Sequence, residues 1–149
     1  MMITLTKPEK IDIPYPKVDI QTKKHIVVVE DNIACQKALE LYLYEYEISA
    51  FENAEDAMYF ISINPDRIDL ILTDNRLPGM NGQEMVSRIK STPALKRIPI
   101  VMQSGCDNIS DDTKSKLDAF IAKPLRKRLL LTTIANILGG ALPFPFSQS

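Results

Sequence analysis

The sequence predicts an α/β protein in which five strands and five helices alternate, (βα)5, to make a doubly wound parallel sheet. Three observations predict it. Short runs rich in Val, Ile and Leu alternate with longer stretches of helical period; the runs are predominantly apolar; and four of them end in polar residues able to do chemistry. A strand that is apolar on both sides is buried on both faces, and in a chain that alternates strand with helix the helices supply that cover.

The elements follow in order. The first strand lies in 25–29 and its helix in 33–46, where Leu39, Tyr42, Leu43 and Tyr46 recur at spacings of three and four. A second strand in 48–51 precedes a helix in 54–63, and a third in 68–73 precedes a helix in 83–90 carrying Met85, Val86 and Ile89 on one face. The fourth strand, 98–103, is followed by a short polar segment, and the fifth, 119–122, by a helix in 125–138. This gives a domain over 25–138. Residues 1–24, with Pro8, Pro14 and Pro16 interleaved among charges, read as an extension or linker. Residues 139–149 read as a tail, opening on two glycines that can end a helix and continuing through Pro143 and Pro145.

Composition narrows the partners. At 149 residues, 45% apolar and 25% charged, the chain suits one globular domain. Lys and Arg total 18 against 19 Asp and Glu, a net charge of −1, so no overall field draws it to nucleic acid or anionic lipid. Only 11 residues follow the last helix, too few for a helix-turn-helix domain, so direct DNA binding is not expected. Cys35 and Cys106 have no CxxC spacing and His25 is the sole histidine, which leaves no zinc set and suits a reduced, cytoplasmic protein. No apolar run approaches a membrane span of ~20 residues, and MMITLTKPEK lacks the apolar core of a signal peptide.

The chemistry lies at the strand ends. Glu30 and Asp31 follow IVVV, Asp74 follows LILT, Ser104 follows IVMQ and Lys123 follows FIA. In an open α/β sheet the ligand crevice lies beyond the carboxyl ends of the strands, where the strand order reverses. In the order 2-1-3-4-5 the first and third strands adjoin there, and Glu30, Asp31 and Asp74 converge. Crowded carboxylates raise one another's pKa unless a cation sits among them. An all-oxygen set favours Mg²⁺ or Mn²⁺, and Mg²⁺ with its retained waters suits a shallow site. With Lys123 as a point charge and Ser104 as a hydroxyl donor, the set describes phosphoryl transfer with Asp74 as nucleophile. Singly, each residue has a plainer reading. Asp31 could cap the helix starting near Ile33, the segment from Asp74 to Gly79 could be only a turn, and Lys123 could be a solvated lysine before Pro124. It is their occurrence at one end of successive strands that the plainer readings do not account for.

The motifs VVVEDN, LILTDNRLPGMNG, IPIVMQSG and FIAKP resemble the receiver domains of bacterial response regulators and hybrid histidine kinases, a flavodoxin-like, CheY-like superfamily; the Glu-Asp-Asn tract is similar to receivers of the hybrid kinase type. The resemblance implies a phosphoacceptor that signals without being an enzyme toward other substrates. It implies Mg²⁺ held by Glu30, Asp31, Asp74 and the Arg76 carbonyl, and Ser104 and Lys123 on the phosphoryl oxygens. It further implies an aromatic switch at Phe120, a cis bond before Pro124, and a histidine kinase or histidine phosphotransfer protein as partner. Two alternatives compete. One is a receiver-like interaction module that no longer accepts phosphate; the other is a haloacid dehalogenase-like phosphohydrolase, which would want an acid where Arg76 stands.

The chain departs from the family between Ser104 and Lys123, separated by 19 positions, about one helical turn fewer than usual. The fourth helix, within 108–116, should be short or irregular, and a largely monomeric protein is expected because that region forms the dimer contact of many relatives. Cys106 reads as a free thiol flanking that helix and not as a redox sensor. Met80, Met85 and Met102 read as packing or loop residues and not as ligands.

Overall fold

The computed structural model describes residues 23–105 and 108–139. The expectations for the N-terminal extension up to residue 22, for Cys106 and for the tail from residue 140 lie outside the described residues.

Five strands, β1 (His25–Val29), β2 (Glu47–Phe51), β3 (Leu70–Asp74), β4 (Ile100–Ser104) and β5 (Ala119–Ala122), form one sheet in the order β2-β1-β3-β4-β5. Every pairing is parallel, with Val27 opposite Ser49 and Ile71, Thr73 opposite Met102, and Met102 opposite Phe120. Five α-helices connect or follow them: α1 (Ile33–Tyr42), α2 (Ala54–Ile63), α3 (Gly82–Ser91), α4 (Asp111–Lys116) and α5 (Lys127–Leu138).

Because side chains alternate across a strand, the sheet feeds two cores, one on each face. Val27, Val29, Ile71, Ile100 and Met102 pack with Ala57 and Ile61 of α2 and with Met85, Val86 and Ile89 of α3. On the other face Ile26, Val28, Leu70, Leu72, Val101 and Ile121 pack with Leu39 of α1 and Leu130 and Ile134 of α5. Fully burying a side chain of this size contributes roughly 1.5–3 kcal/mol. Met85 and Met102 are buried and Met80 packs against the first cluster, as expected of packing methionines.

Helix starts are set by side-chain caps. Asn32, Asn53, Asn81 and Ser110 each accept a hydrogen bond from the backbone N–H three residues on, satisfying a donor the helix leaves open. At the far end of α5, Gly139 has φ of 71°, the left-handed conformation that glycine adopts most cheaply.

Several boundaries differ from the sequence reading, among them the start of β4, which lies at Ile100 and not at 98. α1 ends at Tyr42, and Leu43 and Tyr46 reach the core from a turn in which the Tyr46 N–H meets the Leu43 carbonyl. This turn brings the Glu47 N–H onto the Lys24 carbonyl, starting β2 beside β1. A short 3-10 turn, Pro65–Arg67, delays β3 to Leu70, and α5 begins at Lys127. The fourth helix is short, as its sequence predicted: six residues, of which only Thr113 is buried.

At the amino edge of the sheet two acids satisfy strand-start donors. Asp69 Oδ2 accepts from the His25 N–H at 2.8 Å while the Asp69 N–H donates to the His25 carbonyl at 2.9 Å. Asp118 makes the same reciprocal pair with Ile100, at 2.8 and 2.9 Å. At the carboxyl edge α3 abuts the end of β3. A Cβ on Gly82 would overlap the Asp74 carbonyl and lie 2.9 Å from Asn75 Cα.

Candidate functional site

The sheet order brings the carboxyl ends of β1 and β3 side by side, so the residues that follow IVVV meet the residue that ends LILTD. Glu30, Asp31 and Asp74 each present a carboxylate oxygen within 4.8 Å of the others. Glu30 and Asp74 are buried and Asp31 is exposed. Asp31 is free for this role because Asn32, not Asp31, caps α1, with its side chain accepting from the Cys35 N–H at 3.0 Å. Lys123, just past β5, is no solvated lysine: its Nζ donates to Asp74 Oδ2 at 2.5 Å and lies 3.8 Å from Glu30 Oε1. The Lys123–Pro124 bond is cis, as the family resemblance implied.

Ser104 ends β4 at the same edge and is fully buried; its carbonyl accepts from the Lys123 N–H at 2.8 Å, fastening the two strand ends together. Arg76 is exposed, and its N–H donates to Asp74 Oδ1 at 3.3 Å. Phe120 stands apart from the acids, partly exposed on β5, with Lys114 Nζ 5.8 Å from its ring centroid. An open pocket of about 480 Å³ lies over Glu30, Asp31, Asp74 and Lys123.

The electrostatics leave the cluster under-compensated. Burial, followed by a hydrogen bond with Asp74 and that residue's charge, pushes the Glu30 carboxyl up to about 7, against the pull of Lys123. Desolvation lowers Lys123, but its hydrogen bond to Asp74 and the charges of Asp74 and Glu30 outweigh this and hold it above its ordinary value. Among the described residues, Glu30 Oε2 is a buried oxygen without a hydrogen-bond partner, which costs stability unless something fills it. All-oxygen donors, excess negative charge, an open face and one orphaned carboxylate oxygen fit a hard divalent cation.

Residues not singled out by the sequence reading also belong here. Asn75 is buried, its carbonyl accepting from the Gly82 N–H at 2.9 Å and its Oδ1 from the Gln83 N–H at 3.1 Å. Glu55 Oε1 accepts the Met80 N–H at 2.6 Å, beside Gly79 with φ of 72°, so the Pro-Gly segment is a real turn as well as a site loop. Cys35 is exposed on the pocket wall, and its thiol is raised, by desolvation first and then by the charge of Glu30 and a hydrogen bond to it. A raised thiol is a poor nucleophile at neutral pH. Its position in the first turn of α1, five residues after Glu30, was the available signal.

The comparisons agree with this geometry. Residues 26–135 match the response regulator receiver domain family. The chain is 29% identical over 123 residues to the 3',5'-cyclic-nucleotide phosphodiesterase regA of Dictyostelium discoideum, a match that spans 78% of this chain but 16% of regA. It is 25% identical over 142 residues to the two-component response regulator ARR5 of Arabidopsis thaliana, spanning 84% of this chain and 77% of ARR5. Among solved structures, a putative response regulator from Chloroflexus aurantiacus superposes with a TM-score of 0.71 at 27% identity, covering 78% of this chain and 98% of that one. The signal receiver domain of a signal transduction histidine kinase from Syntrophus aciditrophicus superposes at 0.69 with 26% identity, covering 80% and 93%. The chain belongs to the response regulator receiver domain family, and its function is that of a phosphoacceptor in two-component signal transduction.

Proposed function

We propose that Asp74 is the phosphoacceptor, and that it takes its phosphoryl group from the phosphohistidine of a histidine kinase or histidine phosphotransfer protein. The observation that carries the reading is the meeting of Asp74 with two further carboxylates and the Lys123 ammonium at one edge of the sheet. An Asp74 carboxylate oxygen attacks phosphorus, the P–N bond breaks, and the imidazole nitrogen keeps the electron pair and takes a proton from solvent. The Glu30, Asp31 and Asp74 carboxylates and the Arg76 carbonyl would hold Mg²⁺, which supplies positive charge for the phosphoryl oxygens. Lys123 offers a second positive point, and the Ser104 hydroxyl would hydrogen-bond another oxygen. The Arg76 N–H on Asp74 Oδ1 and the Lys123 contact on Oδ2 orient the nucleophile before the donor arrives.

In this reading the chain works on its own Asp74 and on no separate substrate, so it is a signalling domain and not an enzyme. Ser104 and Phe120 form the switch that carries phosphorylation to the α4, β5 and α5 face. Residues 25–138 are the working unit, with 1–24 and 139–149 flanking it. A balanced charge argues for protein partners over direct nucleic-acid binding. No helix among the described residues is long and apolar enough to cross a membrane, which suits a cytoplasmic site of action. A six-residue α4 offers little preassembled surface, so the protein is a monomer before and after phosphorylation.

Incubation with acetyl phosphate and Mg²⁺ should add one acyl phosphate, read by intact mass and lost on hydroxylamine treatment. Asp74→Asn should abolish it; the same added mass on the Asn variant defeats the assignment. Light scattering with Mg²⁺ and beryllofluoride checks the oligomeric state, and a stable activated dimer would overturn the monomer.

A further inference from the structure

α4 lacks the means to hold itself together. A six-residue segment, DDTKSK, is far below the length at which an isolated helix is stable, and Asp, Thr and Ser are weak helix formers. Its single buried residue is the polar Thr113. Beside the core contacts of Ile109 and Leu117 that flank it, what fastens it is the side chain of Gln83, at the start of α3. Gln83 Oε1 accepts the Ser110 N–H at 3.0 Å and the Thr113 hydroxyl at 3.1 Å, and Gln83 Nε2 donates to the Asn108 carbonyl at 3.4 Å. Ser110, the cap of α4, completes the link by accepting the Thr113 N–H at 3.1 Å and donating its hydroxyl to Thr113 Oγ1 at 2.9 Å. The other end of Gln83 is tied to the phosphoacceptor strand: its N–H donates to Asn75 Oδ1 at 3.1 Å, and Asn75 directly follows Asp74.

One residue thus grips the end of β3 through its backbone and the start of α4 through its side chain. The fit admits little slack, because α3 already abuts the Asp74 carbonyl at Gly82. We infer that Gln83 is a positioning residue that couples the state of Asp74 to the folding of α4, through a polar link separate from the Ser104 and Phe120 switch. The inference rests on the reading of Asp74 as phosphoacceptor. Stiffening of the β3 end by a phosphoryl group stiffens the Asn75 anchor, Gln83 holds its three partners more firmly, and α4 opens less often. Burial gives the link its leverage, since an unmade hydrogen bond at Thr113 or Asn75 leaves a buried polar group unsatisfied.

Hydrogen exchange on peptides covering 108–117 of the full chain, with and without Mg²⁺ and beryllofluoride, tests this. In the unsubstituted protein the mimic should slow exchange there about threefold or more. Gln83→Leu keeps the bulk and loses every side-chain hydrogen bond. It should exchange rapidly in both states and lose the response, while acetyl phosphate labelling of Asp74 and exchange across 68–74 stay within about twofold. Gln83→Glu keeps the acceptors for Ser110 and Thr113 and should restore the response, which a purely steric role for the side chain would not. An unchanged response in Gln83→Leu overturns the coupling. If that variant fails to fold, Thr113→Val removes a single hydroxyl from the link and should still weaken the response, and an undiminished one overturns the proposal. Failure of the mimic to alter 108–117 in the unsubstituted protein also overturns it, and labelling of Asp74 in the same sample then tells whether the phosphoacceptor reading stands.

Discussion

The two edges of the sheet use the same residue type in opposite ways. At the amino edge Asp69 and Asp118 are each satisfied by the backbone of the neighbouring strand, in reciprocal pairs at 2.8 and 2.9 Å. At the carboxyl edge Glu30, Asp31 and Asp74 face one another, one ammonium offsets them, and Glu30 Oε2 finds no partner among the described residues. The first arrangement closes hydrogen bonds; the second leaves charge and an oxygen unspent. An acid at a strand end is therefore structural when backbone donors surround it and functional when other acids do. Parallel geometry makes the difference possible, because it gathers strand starts on one side and strand ends on the other.

Substitutions at the two edges should separate accordingly. Asp31→Ala should weaken Mg²⁺ binding on the order of a hundredfold, because it removes an exposed ligand from the cluster. Asp112→Ala should leave affinity unchanged, since that acid sits on α4 paired with Lys116 at 3.0 Å. Calorimetric titration decides, and equal affinity in the Asp31 variant breaks the contrast. Glu30→Gln should have the next largest effect, and its sign is unusual for an acid. The Glu30 carboxyl is held at about 7 instead of 4.5, so the unfolded chain ionises first and metal-free stability falls as pH rises from about 4.5 to about 7. Removing that charge should stabilise the metal-free protein by on the order of 2 kcal/mol at pH 8 and by almost nothing at pH 4. Denaturant titrations at both values check it, and destabilisation at pH 8 would count Glu30 among the satisfied acids. The same shift makes Mg²⁺ compete with a proton, so affinity should decline as pH drops below about 7. The smallest change belongs to the amino edge. Asp69→Ala should cost about 1 kcal/mol of stability by orphaning the His25 N–H, with Mg²⁺ affinity and Asp74 labelling intact.

Most of the carboxyl edge was legible in the sequence because it is written in residues adjacent to apolar runs. Once IVVV and LILTD read as neighbouring strands, Glu30, Asp31 and Asp74 had to meet, and Lys123 followed from FIA. The shortness of α4 was equally readable, as a missing turn between Ser104 and Lys123. The amino-edge latches were not, because Asp69 and His25 lie 44 residues apart and Asp118 and Ile100 lie 18 apart, joined only by strand register. Gln83 escaped for the same reason: its partners on and just before α4 are 25 to 30 residues away. The capping of α1 by Asn32 needed backbone dihedrals, since Asp31 and Asn32 are equally able caps by type. The end of α1 was over-extended because Leu43 and Tyr46 keep helical spacing while reaching the core from a turn.

The close approach of α3 to the end of β3 has a consequence for anyone who surveys this protein by exhaustive mutation. Gly82 has no side chain and touches no proposed ligand, yet any replacement would drive a carbon into the Asp74 carbonyl and the Asn75 backbone. A tolerance map scored on signalling output would rank it beside Asp74 and mark it as chemical. Scored on abundance the two should part company: Asp74→Asn accumulates normally, whereas Gly82→Ala is depleted before any signal is sent.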